Sequence, residues 1–461
     1  MSNGAVSSFV YDFRGATTVR WQNQDGQEEA RSFTFEPETI STAASAPFPA
    51  VFADWMELAL AAHVADRLSP RRAPDEDGTG LQWRRRITIV VPVRNLGFWG
   101  RLSLRTAVER CLGHLTGDAW TIEFCGGRGT TWKAEVQQHF PVAGAPSDVA
   151  LFSGGLDSLA GAAHLATRDR DLVLVSGVPN PRHGAQQHTQ IAALRRTIAP
   201  RVVRVPVTYG IEIDTDVTER TQRARAFLHL TLGCVTALLL GQTRLHVAEN
   251  GVGAINLPLD GTQLGTSNAR ATHPAFLLQM QTIAQLVAER DFEIVNPFQF
   301  FTKGEACRDA RVHAVAAVIG ETFSCDGFPV RAKERPQCGF CTACVLRRLA
   351  IEVAGLQAWD NRRAYLRDIC SFSSTLPRHV KHGVLVMELQ ARTLSACLDA
   401  AQPWLALIEA YPELERSAQA LARLMHEDIE TCRARLVRLY RQHVIEWQAF
   451  SARPLVYGHA A

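Results

Sequence analysis

Several absences narrow the class of this 461-residue chain. No run of five or six like charges occurs and the net charge is only +3, so the chain has no basic tail of the kind that binds nucleic acid. No apolar stretch reaches the roughly 18 residues that span a bilayer. The nearest, around Leu228 to Leu240, carries His229 and small polar residues. The N-terminus, Met1-Ser2-Asn3-Gly4, has neither the basic start nor the apolar run of a signal peptide. There is no internal repeat and no low-complexity tract. With 46% hydrophobic and 21% charged residues, the expectation is an ordinary soluble protein of the cytoplasm, with no membrane contact and no direct nucleic-acid ligand. The local cluster Arg84-Arg85-Arg86 reads as solvated surface.

What is present falls into three textures. Residues 1–145 read as an N-terminal α+β accessory domain, with polar strand-like stretches, a helix over Phe52 to Leu68, a basic connector at Ser69 to Gly80, strands at Ile87 to Val93 and Thr121 to Phe124, and a helix over Leu104 to Leu115. Pro141 to Pro146 reads as a linker. From 146 to 350 short apolar runs alternate with longer amphipathic ones, the rhythm of a parallel sheet covered by helices. Strands are expected at Val149 to Phe152, Leu172 to Val175, Val202 to Val207, Leu245 to Ala248 and Phe292 to Val295. Helices are expected at Ser158 to Thr167, Thr189 to Ile198, Arg223 to Leu240, Ala275 to Glu289 and Lys303 to Ile319. The fold class is therefore α/β, a doubly wound parallel sheet. Residues 351–461 carry apolar positions at three- and four-residue spacing and predict a helical region.

The strand Val149-Ala150-Leu151-Phe152 runs straight into Ser153-Gly154-Gly155-Leu156-Asp157-Ser158 ahead of a small-residue helix. A strand, a glycine turn and a helix N-terminus turn several backbone N–H groups toward one point, which is a place for an anion. Gly154 and Gly155 let phosphate oxygens approach the backbone, while the Ser153 and Ser158 hydroxyls can donate. Asp157 suits holding the loop or a magnesium ion.

Eleven cysteines is an odd number, and four of them are crowded into Cys325 and Cys338-Gly339-Phe340-Cys341-Thr342-Ala343-Cys344. In a reducing compartment that crowding favours a metal over disulfides, because two-residue bridges let successive sulfurs turn inward around one ion. Zinc is favoured, with an iron–sulfur cluster as the rival.

The loop matches the S-G-G-x-D-S signature and so resembles the PP-loop ATP pyrophosphatase superfamily. With the C-x(n)-C-x2-C-x2-C element, the chain resembles the QueC family of 7-cyano-7-deazaguanine synthases. That resemblance implies ATP at Ser153, Gly154, Gly155, Asp157 and Ser158, with Leu156 in the same binding loop, and structural Zn2+ on Cys325, Cys338, Cys341 and Cys344; Mg2+ is expected beside the ATP. It also implies adenylation of 7-carboxy-7-deazaguanine with loss of pyrophosphate.

Loops after strand ends add candidates: Glu249 and Asn250 for magnesium or purine, Arg223, Arg225 and Lys303 for phosphate, and Arg270, Thr272 and His273 in a loop that covers substrate. Asp157, Ser158 and Lys303 are the expected catalytic set. The V-P-x-R-N segment of the family is missing at Thr221 to Phe227, and Glu249 to Pro258 replaces its aspartate-rich loop. The size and layout are more similar to QueC-like proteins of anti-phage operons, the QatC group among them. There the resemblance implies transfer to the amine of a partner protein. Ammonia-dependent nitrile synthesis, RNA thiolation and a non-catalytic nucleotide sensor are the alternatives.

Overall fold

The computed structural model of the protein describes residues 7–22, 26–71, 84–127, 147–212, 219, 221–259, 270–326, 335–369 and 378–452. The expected linker at Pro141 to Pro146, and most of the connector after Ser69, lie outside the described residues.

In the first part of the chain come β1 (Ser7–Asp12), β2 (Thr18–Gln22), β3 (Glu28–Glu36), α1 (Glu38–Ala44), α2 (Ala50–Leu68), β4 (Arg85–Val93), α3 (Leu96–Trp99), α4 (Leu102–Thr116) and β5 (Ala119–Gly126). The central part holds β6 (Ser147–Leu151), α5 (Leu156–Leu165), β7 (Asp171–Val178), α6 (Pro181–Thr197), β8 (Val202–Ile211) and α7 (Arg225–Leu239). It continues with β9 (Arg244–His246), α8 (Gly251–Ile255), α9 (Pro274–Ala288), β10 (Glu293–Val295), α10 (Lys303–Cys307), α11 (Ala310–Ala314) and α12 (Thr342–Val353). Four helices follow among the described residues: α13 (Arg378–Leu398), α14 (Pro403–Ala410), α15 (Glu413–Met425) and α16 (Ile429–Ser451).

Among the described residues ten strands form one sheet in the order β10-β9-β6-β7-β8-β3-β2-β1-β4-β5. The pairings among β6 to β10 are parallel, and β7, Asp171–Val178, is buried along most of its length, as a strand covered on both faces must be. From β6 the order runs one way to β7 and β8 and the other way to β9 and β10, so the topological switch point lies between β6 and β9. The expected strands and the doubly wound α/β class are found, with the C-terminal helical region.

The sheet does not stop at residue 145. β3 pairs antiparallel with β8, Phe33 opposite Ile211, and one apolar cluster holds Tyr11, Trp55 and Trp99 together with Val149, Phe227 and Phe276. The stretch expected as an accessory α+β unit therefore shares both sheet and core with the central part of the chain.

Two local expectations are corrected. Arg85 is not solvated surface: it is 1% exposed, its guanidinium 2.6 Å from Asp66 and 2.7 Å from Asp118. A charge-run reading misses this because its acidic partners lie far away in sequence. The single helix expected over Lys303 to Ile319 is α10, α11 and a 3-10 segment, Ala316–Glu321. It breaks at Asp309, whose side chain accepts the Arg311 N–H at 2.9 Å and so caps a new helix instead of extending the old one.

The C-terminal helices pack their own cluster, with Leu394, Leu407, Leu414 and Leu436, onto Ile255, Leu257 and Phe300 of the core. α16 comes so close to α8 that a Cβ at Gly251 would stand 2.7 Å from Leu439 Cδ2 and 2.2 Å from the Gln299 carbonyl oxygen.

Candidate active site

The loop after β6 is shaped by its own residues and gripped by α6. Gly154 has φ +81°, a left-handed conformation that a side chain strains to adopt. The Ser153 hydroxyl accepts the Gly155 N–H at 3.2 Å, and the Ser158 hydroxyl donates to the Gly155 carbonyl at 2.9 Å. α5 starts at Leu156 with no side-chain cap from Gly155, so its first turn brings N–H groups to the loop. Gln186 and Gln190 each donate to the Gly154 carbonyl at 2.9 Å, and Gln187 donates to the Ser153 carbonyl at 3.4 Å. With the carbonyls held inward by these buried amides, the loop keeps its N–H face for an anion. Sequence reasoning missed the three glutamines. Their trace was three long polar residues at i, i+1 and i+4 on a helix that buries that face.

On the other side of the switch point, Asp157 joins three segments. Its carboxylate accepts from the Asn250 side chain at 3.0 Å and lies 2.6 Å from Lys303 Nζ. Asn250 also donates to Glu249 at 2.6 Å and caps α8 by accepting the Gly253 N–H at 2.9 Å. Lys303 is the first residue of α10, held there by a capping box between Thr302 and Glu305. Burial pulls the Lys303 ammonium down, but Asp157 and Glu249 more than offset this and hold its pKa above the ordinary lysine range. Glu249 keeps some solvent contact, yet the protein around it and then the Asp157 carboxylate push its pKa up to about 8.

The structure thus brings Asp157, Ser158, Glu249, Asn250 and Lys303 to one crevice. Lys303, expected to meet phosphate, is tied to Asp157 in this state. Arg225 is not among them: it opens α7, after β8, where its charge bears on His183 and His229. Arg223 sits with Arg71, Asp118 and Asp66 of the first part of the chain, and burial among them lowers its pKa to about 10.

Arg270 and His273 join helices instead of facing the loop. Arg270 donates to the His114 carbonyl at 2.8 Å. His273 caps α9 by accepting the Ala275 N–H, and its Nε2 is 3.1 Å from the Ser417 hydroxyl. Thr272 lies between them, half-buried, and residues 260–269 of the same expected loop lie outside the described residues.

The sulfurs of Cys325, Cys338, Cys341 and Cys344 all lie within 4.8 Å of one another, with Cys338 and Cys344 at 3.9 Å and Cys341 and Cys325 at 4.0 Å. A tetrahedron with Zn–S of about 2.3 Å has edges of about 3.8 Å, so one zinc ion fits. The Cys338 and Cys341 N–H groups point at the sulfurs of Cys325 and Cys338, at 3.4 and 3.2 Å, as suits thiolates. Gly339 makes the turn, with φ +85° and the Arg367 carbonyl where a Cβ would be. The cluster also abuts the loop. Phe323, two residues before Cys325, puts its carbonyl 3.3 Å from where a Cβ of Gly155 would stand.

Comparison with known proteins gives a consistent result. The family model described as queuosine biosynthesis protein QueC matches residues 266–355, a stretch that holds Lys303 and all four clustered cysteines. The chain is 27% identical over 227 residues to a 7-cyano-7-deazaguanine synthase of Novosphingobium aromaticivorans, covering 47% of this chain and 94% of that one. It is 26% identical over 234 residues to a protein of the same name in Myxococcus xanthus, covering 45% of this chain and 94% of that one. These likenesses support a QueC-like protein, with more than half of the chain beyond the matched length.

Proposed function

We propose that the protein activates the carboxylate of a 7-deazaguanine acid with ATP and passes the acyl group to an amine. One observation carries the reading: a phosphate-shaped loop at the switch point of a doubly wound sheet, tied through Asp157 to Lys303 and Asn250. The names of the two relatives supply the substrate class.

In the first step a carboxylate oxygen of the acid attacks the α-phosphorus of ATP, and the bond from that phosphorus to the oxygen bridging to the β-phosphorus breaks. Pyrophosphate leaves and an acyl adenylate remains. The N–H groups of the loop and of the first turn of α5 hold the β- and γ-phosphates, where negative charge accumulates, and the Ser153 and Ser158 hydroxyls turn to them from the bonds they make within the loop. Lys303 adds a charge fixed above the ordinary lysine range. In the second step an amine nitrogen attacks the acyl carbon, the C–O bond to AMP breaks, and the nitrogen gives up a proton as the amide forms. Asp157 and Glu249 are suited to a magnesium ion, since two close carboxylates, one held neutral by burial and by the other's charge, gain from a dication. Such an ion supplies charge neutralisation for the phosphates. Zinc on the four cysteines is structural, because all four positions are protein ligands.

The acceptor is an amine of a partner protein, in a defence role like that of the QatC group. The ammonia reading is favoured instead by the names of the relatives. RNA thiolation is disfavoured at Cys307, the cysteine of α10 beside Lys303. Burial pushes its thiol up to about 12, so it is no source of thiolate.

Incubation with ATP, 7-carboxy-7-deazaguanine and candidate partner proteins, followed by intact mass measurement, is expected to show pyrophosphate and a deazapurine-modified partner. Release of 7-cyano-7-deazaguanine with ammonia would favour the second reading. No pyrophosphate above an Asp157→Ala control under either condition would sink both.

A further inference from the structure

Arg225 opens α7 half-buried, and among the described residues it has no carboxylate partner; its guanidinium donates to Gln222 Oε1 at 3.2 Å. One turn on, and so on the same face of the helix, His229 Nε2 lies 2.9 Å from the Tyr209 hydroxyl near the end of β8. The same ring fills the space over Gly177 of β7, where a Cβ would stand 2.4 Å from Nε2. These contacts place Arg225 over the C-terminal ends of β7 and β8. His183, one turn before the Gln187 that holds the Ser153 carbonyl, is pressed to a pKa of about 4 by burial and by the Arg225 charge. A guanidinium at that mouth, with no carboxylate partner among the described residues, is a grip for an anion.

What fixes Arg225 comes from the first part of the chain. The turn ahead of α7 has Gln222 at φ +46°, a conformation that needs support from outside. The Ala224 N–H donates to Asp66 Oδ2 at 2.9 Å, and Asp66 Oδ1 is held by Arg85 at 2.6 Å. Arg85 is bound in turn to Asp118 at 2.7 Å, and Arg71 to Asp118 at 2.8 Å. Glu219 holds the turn from its other side. Its N–H donates to the Arg67 carbonyl at 2.9 Å, while its carboxylate accepts the Arg71 and Thr221 N–H groups, each at 2.9 Å. The side chains of Asp66, Arg85 and Asp118 are fully buried, so the frame cannot shift without leaving a charge unpaired.

We propose that Asp66 is a positioning residue: it fixes the turn ahead of α7 and so aims Arg225 as a second anion grip of the crevice, for the carboxylate of the acid substrate or a phosphate of ATP. The proposal rests on the reading that this crevice takes both.

Equilibrium binding to the full chain separates the two anions without requiring turnover. The probes are magnesium-ATP alone, and 7-carboxy-7-deazaguanine in the presence of a non-hydrolysable ATP analogue. Arg225→Gln is expected to weaken one of the two roughly 10- to 100-fold, the worth of a charge-assisted hydrogen bond, and to leave the other nearly unaltered. Asp66→Asn should weaken the same anion about threefold or more, and the double variant should bind it no worse than Arg225→Gln alone, as when one residue acts through another. Circular dichroism and melting check folding. If Asp66→Asn does not fold, Glu219→Gln frees the same turn from its other side and carries the same expectation. Unaltered binding of both anions by Arg225→Gln overturns the grip. Additive losses, or unaltered binding in the Asp66 or Glu219 variant, overturn the positioning. An acid that fails to bind the unmodified protein counts against the proposed substrate, and the ATP measurement then decides Arg225.

Discussion

Lys303 Nζ lies 2.6 Å from Asp157 Oδ2, although the two residues stand at opposite ends of the central segment. Asp157 comes after the first strand of that segment and Lys303 after its last, and the crossing of the sheet at the switch point brings them together. With Asn250 they form a buried knot in which each charge has a partner.

Removing the cation should therefore cost twice. Lys303→Met leaves Asp157 and Glu249 facing each other without compensation. Urea melts are expected to show a loss of about 3 kcal/mol, the scale for breaking a buried ion pair. Pyrophosphate release by the folded variant should fall about 100-fold or more, as when a group that stabilises developing charge is removed. A folded variant with ordinary turnover would exclude Lys303 from the site.

The glutamine clamp on the loop can be tested by removing its donors. In a Gln186→Leu, Gln190→Leu double variant the Gly154 carbonyl loses both donors, so the loop should turn freely. ATP affinity is expected to fall about tenfold, corresponding to about 1.4 kcal/mol, and the melting temperature to fall by several degrees, because the Gly154 and Glu321 carbonyls lose these donors. Isothermal titration calorimetry checks it.

One zinc ion per chain is expected by elemental analysis. Chelation, or Cys341→Ser, should lower the melting temperature by several degrees, because the ion ties the segment at Cys325 to α12 next to the loop. Loss of zinc with no change in melting or in ATP binding would contradict a structural ion.

Acid should destabilise the protein through its buried histidines. Burial lowers His229 and His273 to about 3 and His443 to about 4, with neighbouring charge adding to the shift in the first two. In the unfolded chain these imidazoles return to about 6.5 and bind protons first. Each of these imidazoles contributes stability that is fully present above pH 6.5 and is lost as pH drops toward 4, by an order of 1 kcal/mol per pH unit for each that stays neutral when folded, while Glu249, raised to about 8, works in the opposite sense and offsets about one of them. Melting temperatures measured from pH 7.5 to 5 should decline; a flat profile would mean that these rings are not held neutral.

The sequence determined what is local. The loop Ser153 to Ser158 is a run of adjacent residues whose glycines and hydroxyls imply an anion wherever a strand feeds them into a helix, and the structure shows that strand and helix. The four cysteines turn inward because their spacing leaves them little else to do, and the alternation of short and long apolar runs gives the parallel sheet. The tertiary structure decided what depends on distant partners. Arg85 looked like surface charge until Asp66 and Asp118 came to meet it, and a helix from Lys303 onward looked continuous until Asp309 found a backbone N–H to cap. The pairing of Phe33 with Ile211, which makes one sheet of two textures, has no mark in either segment. Nor does the tie from Asp66 to Ala224. A buried charge or an open strand edge is satisfied by whatever the fold carries to it, and sequence spacing holds no record of that.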